Sequence, residues 1–318
     1  MADIALIIGN GFDVDMGLPS KYSDFIESKE WEDVMKGARS CFFPFEDYRK
    51  TSLLRELQQA STDPYWFDIE EVIHQFVIKH KDNTEEAIRQ IRWEFDLVRK
   101  GLQKYLQRVS KDFKADEKKL GYQMLTLLQK SPFTIFEIIF NYTYPHSFLK
   151  IPAYYKGCFV SFVHGSLKDN NIVLGCDLQN GEEVNKQLSF MYKYNMLTTA
   201  NNTGYHLQEA KEIIFYGHSV NEMDFRYFKA LLTTLSTTPS PSKHLTIITY
   251  DESSERDIKD NIQSQGVSVT GLYNNLRTFE FIHTKEYNKG DETEKQKVKD
   301  LFVRLINPEA TRLKFANE

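Results

Sequence analysis

Cysteine is scarce: Cys41, Cys158 and Cys176 are the three in 318 residues, and none forms a Cys-x-x-Cys pair. Neither a disulfide framework nor a four-thiolate zinc centre can be built from them within one chain, so no metal is expected and they read as small apolar side chains. An excess of positive charge is also missing. Lys and Arg number 40 against 45 Asp and Glu, a net charge of -5, which argues against general nucleic-acid binding, whose footprint is a surplus of Lys and Arg. No apolar run approaches the ~20 residues of a membrane span, so no membrane partner is expected. The chain opens Met1-Ala2-Asp3 and runs straight into Ile4-Ala5-Leu6-Ile7-Ile8 without a basic leader, which points to a cytoplasmic protein. Neither an internal repeat nor a coiled-coil heptad is visible. Aromatic side chains, by contrast, make up 14% of the residues, far more than a disordered polymer carries. At ~150 residues per domain the length suggests about two domains, or one with a large insertion.

Ile4 to Ile8 is an unalternating apolar run stopped by Gly9-Asn10-Gly11, which suits a strand buried on both faces of a parallel sheet. From about Ser23 to Ser131 apolar residues fall at helical spacing, with stripes at Val98, Leu102, Tyr105 and Leu106 and at Leu120, Met124, Leu127 and Leu128. A helical insertion is therefore expected over 41–130, broken by loops near Phe43-Pro44 and Ser61-Thr62-Asp63-Pro64. Strand-like runs return at Phe133–Phe140, Cys158–Val163, Ile172–Leu174, Ile213–Tyr216, Leu245–Tyr250 and Thr278–Ile282. Helix-like segments fall at about Val184–Leu197, Met223–Leu235, Glu252–Gln265 and Glu292–Leu305, while Thr237–Ser242 reads as a loop. Strands alternating with helices imply an α/β fold with a parallel sheet. Residues 1–40 and 131–318 would form a Rossmann-like nucleotide-binding domain around the insertion.

In an open parallel sheet ligands sit beyond the carboxyl ends of the strands. Four loops there carry the candidates. In Gly9-Asn10-Gly11-Phe12-Asp13 the glycines let the backbone turn and approach a phosphate, although Val14 stands where the third glycine of the dehydrogenase fingerprint belongs; Gly17-Leu18-Pro19 follows. Asn141, after Phe140, either fixes a ribose hydroxyl or an attacking water, or caps the next turn. His164, before Gly165-Ser166, is placed for general-base work or is a structural histidine. Gly217-His218-Ser219 follows another strand, and Ser219 or Asn221 there is a ligand contact or an N-cap.

Taken in order, Gly9-x-Gly11 with Gly17-Leu18-Pro19, then Asn141, His164-Gly165 and Gly217-His218-Ser219, resemble the nucleotide loop, Gln-Asn-Ile-Asp, His-Gly and Gly-Thr-Ser motifs of the sirtuins. The wording is closer to the abortive-infection AbiH family of phage-defence proteins. It rests on Ile7-Ile8-Gly9-Asn10-Gly11-Phe12-Asp13, Gly17-Leu18-Pro19-Ser20-x-Tyr22-x-Asp24-Phe25, Trp66-Phe67-Asp68-Ile69-Glu70, Phe140-Asn141-Tyr142-Thr143, His164-Gly165 and Tyr216-Gly217-His218-Ser219. Thr143 replaces the sirtuin aspartate and Asp13 the sirtuin serine, and the four zinc cysteines of the deacylases have no counterpart.

The resemblance implies a phage-defence protein that binds NAD as its substrate and hydrolyses the nicotinamide glycosidic bond. His164 would be the base or ribose-activating group, Asn141 would position water or ribose, and Asp13 would stabilise developing positive charge. Gly9, Asn10, Gly11, Phe12, Gly17, Gly217 and Ser219 would form the dinucleotide cradle. Asp68 and Glu70 either complete the cleft or cap a helix. Other readings are a non-catalytic NAD or ADP-ribose sensor, hydrolysis of another nucleotide or of nucleic acid, and a module that binds a phage or defence-system protein; a homo-oligomer is compatible with each.

Overall fold

A computed structural model of the chain describes residues 3–39, 51–61, 68–152, 157–178, 181–196 and 203–307. Cys41, Phe43-Pro44, Thr62-Asp63-Pro64, Trp66-Phe67 and the tail from Pro308 lie outside them. Among the described residues six strands join in one sheet: β1 (Ile4–Ile8), β2 (Ile135–Ile139), β3 (Cys158–Phe162), β4 (Glu212–Tyr216), β5 (Ser240–Thr249) and β6 (Leu276–His283). Every pairing is parallel, in the order β3-β2-β1-β4-β5-β6. The fold is α/β, with helices flanking the sheet. Ile8 lies opposite Ile139 on one side and Tyr216 on the other, and Ile139 lies opposite Phe162. The carboxyl ends of four strands are thus level on one edge, as the sequence leads one to expect.

The chain divides into two compact units, one of residues 1–18, 113–163 and 200–318, the other of 19–112 and 164–199. The first holds the sheet. β1, β2 and β4 are buried along their whole length, which is why they are near-continuous apolar runs rather than alternating ones. Ala5, Ile7, Phe136, Ile138, Ile213 and Phe215 share one core with Leu207, Leu231, Leu235, Ile258 and Leu272. Those partners come from the helices Thr203–Glu209, Lys229–Thr237, Glu252–Ser264 and Val269–Asn275. Leu120–Leu128 is helical and belongs to this unit, buried through Leu120, Met124, Leu125 and Leu128, whereas Leu127 is half-buried.

Elsewhere in this unit the sheet carries buried charge. Arg304, on the helix Glu292–Ile306, donates to Glu212 at 3.1 Å, to Glu280 at 2.7 Å and to the Thr246 hydroxyl at 3.1 Å. Burial outweighs the guanidinium and pushes the Glu212 carboxyl up to about 7. Arg304→Ala would leave the buried Glu212 and the half-buried Glu280 without their shared cation, and a loss of about 3–5 kcal/mol is expected in denaturant unfolding near neutral pH. The loss should shrink on acidification as Glu212 takes up a proton.

The second unit contains the helices Tyr22–Ile26, Lys29–Arg39, Leu53–Ala60, Ile69–Lys79 and Glu85–Lys111. The stripe Val98, Leu102, Tyr105 and Leu106 is buried, as its spacing requires. At Gly101 an added Cβ would come within 2.4 Å of the Val34 side chain, so glycine lets two helices approach closely.

Three local expectations fail. Ile172–Leu174 forms no strand; it runs as a loop in which the Val173 N–H donates to the His164 carbonyl at 2.8 Å. The described part of Val184–Leu197 holds only two 3-10 turns, Ser189–Met191 and Lys193–Asn195. Asn185 is the cause: its amide donates to the Val77 and His80 carbonyls and its oxygen accepts the Gln187 and Leu188 N–H groups, so the side chain supplants the helical ladder. Thr237–Ser242 is not wholly loop, because β5 begins at Ser240 and carries Pro241. A register shift between Ser240 and His244 accommodates a proline that has no N–H to donate. Met223–Leu235 is helical in two pieces, Glu222–Phe225 and Lys229–Thr237.

Among the described residues no helix is long and apolar enough to cross a membrane.

Candidate functional site

The turn after β1 is built against the turn after β4. Gly9 precedes the short helix Asn10–Met16 and donates its N–H to the Tyr216 carbonyl at 3.0 Å; the Gly11 N–H goes to the Gly217 carbonyl at 2.8 Å. A Cβ on Gly9 would lie 2.6 Å from the Gly217 oxygen, and one on Gly11 would lie 2.8 Å from the same atom. These glycines are therefore required by backbone packing between two loops, and the Gly11 N–H is already committed there. Gly17, at φ +89°, ends the helix in the left-handed conformation and donates to the Val14 carbonyl at 3.0 Å. Phe12 and Met16 press on Gly121, and Phe12 meets the Tyr216 ring edge-on at 4.8 Å. Asn10 and Gly11 are exposed.

Level pairing of β1 and β2 then brings Asp13 to the loop after β2. Phe140 continues the ladder by donating to the Ile8 carbonyl at 2.9 Å, and Asn141-Tyr142-Thr143 follow. Asp13 is fully buried. Its Oδ2 accepts the Thr143 hydroxyl, and the Asn141 side chain lies close enough to favour the charged form. Loss of hydration dominates and pushes the Asp13 carboxyl up to about 7. Asp13 Oδ1 and the Asn141 amide nitrogen make no well-aligned hydrogen bond, although both are buried. A buried carboxyl held by Thr143 and Asn141, with a pKa near neutrality, is suited to taking or giving a proton.

The other residues singled out by sequence are distributed as follows. His164 is buried two residues beyond β3, and it belongs to the second unit, whereas Asn141 and Asp13 belong to the first. Ser219 is exposed and its carbonyl accepts the Asn261 amide at 3.0 Å. The N-cap of the next helix is Asn221, whose Oδ1 accepts the Asp224 N–H at 3.1 Å. Asp68 caps the helix Ile69–Lys79 by accepting the Glu70 N–H at 2.8 Å, and burial pushes its carboxyl up to about 6. Glu70 accepts from the buried Lys193 ammonium at 2.9 Å. In this structure both acids serve the second unit's own interior.

His218 is the residue that sequence reasoning passed over. It is buried against the rings of Phe140 at 4.4 Å, Phe228 at 5.1 Å and Phe215 at 6.2 Å. Its Nδ1 accepts the Val220 N–H at 2.9 Å, and its Nε2 stands 3.6 Å from an Asp224 oxygen. Only the position of the motif Gly217-His218-Ser219 after a strand hinted at it.

No protein with curated annotation matches the chain. The family model described as bacteriophage abortive infection AbiH matches residues 5–243. That span exceeds half of the chain and includes the loops after β1, β2, β3 and β4, so the chain belongs to the AbiH family of bacteriophage abortive infection proteins.

Proposed function

We propose that this AbiH protein acts in phage defence by binding NAD at the carboxyl edge of its sheet and hydrolysing the nicotinamide glycosidic bond. The observation that carries the reading is the fully buried Asp13 carboxyl, raised to about 7 and held by Thr143 and Asn141 beyond the ends of β1 and β2. Support also comes from the strand order, in which β1 and β4 are neighbours and the connections reverse between them. That order is the one found in Rossmann-like dinucleotide-binding sheets, and ligands in such sheets lie at the reversal point.

In the proposed reaction a water attacks the ribose carbon as the bond to the pyridinium nitrogen breaks. Nicotinamide leaves neutral with the bonding pair, so the leaving group needs no proton. The proton that must move is the water's, and Asp13 in its carboxylate form accepts it, refining the charge-stabilising role that the sirtuin likeness suggests. Asn141 orients the water or the ribose. His164 keeps the ribose-activating role implied by the sirtuin resemblance, which rests on its place in the chain alone. Asn10 and Ser219, exposed in their loops, remain candidate cradle residues, whereas Phe12 is buried with its N–H given to the Gly9 carbonyl. Because Asp13 must be ionised to accept the proton, kcat/KM for NAD should rise with pH through about 7.

Nicotinamide release measured beside NAD affinity tests the reading. Asn141→Ala and His164→Ala should each slow release by about a hundredfold or more while changing affinity less. Gly11→Val is a poor probe of phosphate approach, because its side chain would first displace the Gly217 turn. Tight binding without release by the wild-type chain would favour a sensor; neither binding nor release would remove NAD from the account.

A further inference from the structure

The turn after β4 holds a conformation that its own residues disfavour. Val220 sits at φ +51°, and a β-branched side chain is a true outlier in the left-handed region. It is also buried, packed in the core with Phe225 and Phe228. Such strain persists only where neighbouring groups over-determine it. Here the Val220 N–H is taken by His218 Nδ1 at 2.9 Å, which requires that nitrogen to be unprotonated, with the ring hydrogen on Nε2 facing Asp224 at 3.6 Å. Val220 needs a free lone pair on Nδ1 and hence the neutral ring. The rings of Phe140, Phe215 and Phe228 pack against the imidazole, and on the side of β1 a Cβ at Gly9 would lie 2.9 Å from the His218 Cβ.

We propose that His218 is a proton-operated latch: the neutral ring locks the strained Val220 turn, and protonation of Nδ1 replaces its hydrogen bond by a clash of two N–H groups and frees the turn. The turn is joined to the loop after β1 through the Gly11 to Gly217 hydrogen bond. Release on acidification therefore reaches the Gly9–Asp13 segment, whatever reaction that segment supports. His218 is a positioning residue in this account, acting through its hydrogen bond to Val220.

The test compares full-length wild type with His218→Asn, whose side-chain oxygen can occupy the Nδ1 position and accept from Val220 but cannot take up a proton. Hydrogen exchange at the Val220 amide, corrected for intrinsic chemistry, is read at about pH 8 and about pH 5. Protection should fall at least about tenfold on acidification in wild type and change less than about twofold in the variant. An equal change in both overturns the latch. If the variant does not fold, nitrogen NMR of the wild-type imidazole decides: at about pH 8 an unprotonated Nδ1 supports the latch, and a proton on Nδ1 overturns it. Neither readout depends on NAD, so failure here is separable from failure of the proposed reaction.

Discussion

Asp13→Asn should stabilise the protein above neutral pH and nearly abolish nicotinamide release. Asp13 is raised from an ordinary 3.8 to about 7 by burial, so the folded chain holds a proton that the unfolded chain has already lost. A raised carboxyl subtracts stability as pH climbs through that window, because ionisation must then occur without water. At 1.36 kcal/mol per unit the cost near pH 8 is on the order of 2–4 kcal/mol. Asparagine has nearly the same shape, can accept the Thr143 hydroxyl and never ionises. Thermal unfolding should therefore show the variant above wild type at about pH 8 and level with it near pH 4, where both side chains are neutral. Release of nicotinamide should fall about a thousandfold with the loss of the proton acceptor. A variant less stable than wild type at the higher pH would mean that the carboxylate is charged and well solvated by its neighbours, which would remove the raised pKa from the mechanism.

Gly217→Ala should be the most damaging single-atom addition in the sheet unit. Gly217 has φ +63°, and a Cβ there would lie 2.1 Å from the Phe12 nitrogen and 2.3 Å from the Gly11 carbonyl carbon. These are backbone atoms that cannot step aside unless the two loops part. A loss of about 3 kcal/mol or more is expected, from backbone strain and loop separation together. Gly17→Ala is the control: φ is +89° but a Cβ meets nothing within 4 Å, so about 1 kcal/mol is expected from backbone strain alone. Urea unfolding of the two variants separates the effects. Equal losses would show that the loops are not packed as described.

The sheet edge was legible because both-face burial leaves a simple trace, an apolar run that ends at a turn, as at Ile8 and Tyr216. β2 was less plain, since Glu137 lies within it. Its partner is His146, 2.8 Å away and equally buried, and a run of residue types does not say whether a charge inside it finds a mate. The helical stripes were legible at Val98 to Leu106 because one period governs a long helix. Val184–Leu197 was misread because Asn185 bonds to carbonyls of a different helix. The glycines after β1 were found for a reason that proves incomplete: they suggested an approach to phosphate, and the structure shows an approach to Gly217. Nothing in the spacing of Asp13 and Thr143 reveals their hydrogen bond, which depends on the register between β1 and β2. His218 was hidden for the same reason, as its box is assembled from Phe140, Phe215 and Phe228.

The most direct test of the central claim follows NAD and nicotinamide through phage infection in cells expressing either wild type or Asp13→Asn at equal abundance. Infection supplies whatever trigger or partner the purified chain lacks. The account predicts that NAD falls and nicotinamide rises in wild-type cells while both stay near their starting levels in the variant. Protection against phage with unchanged NAD, or equal NAD loss in the two strains, would contradict it.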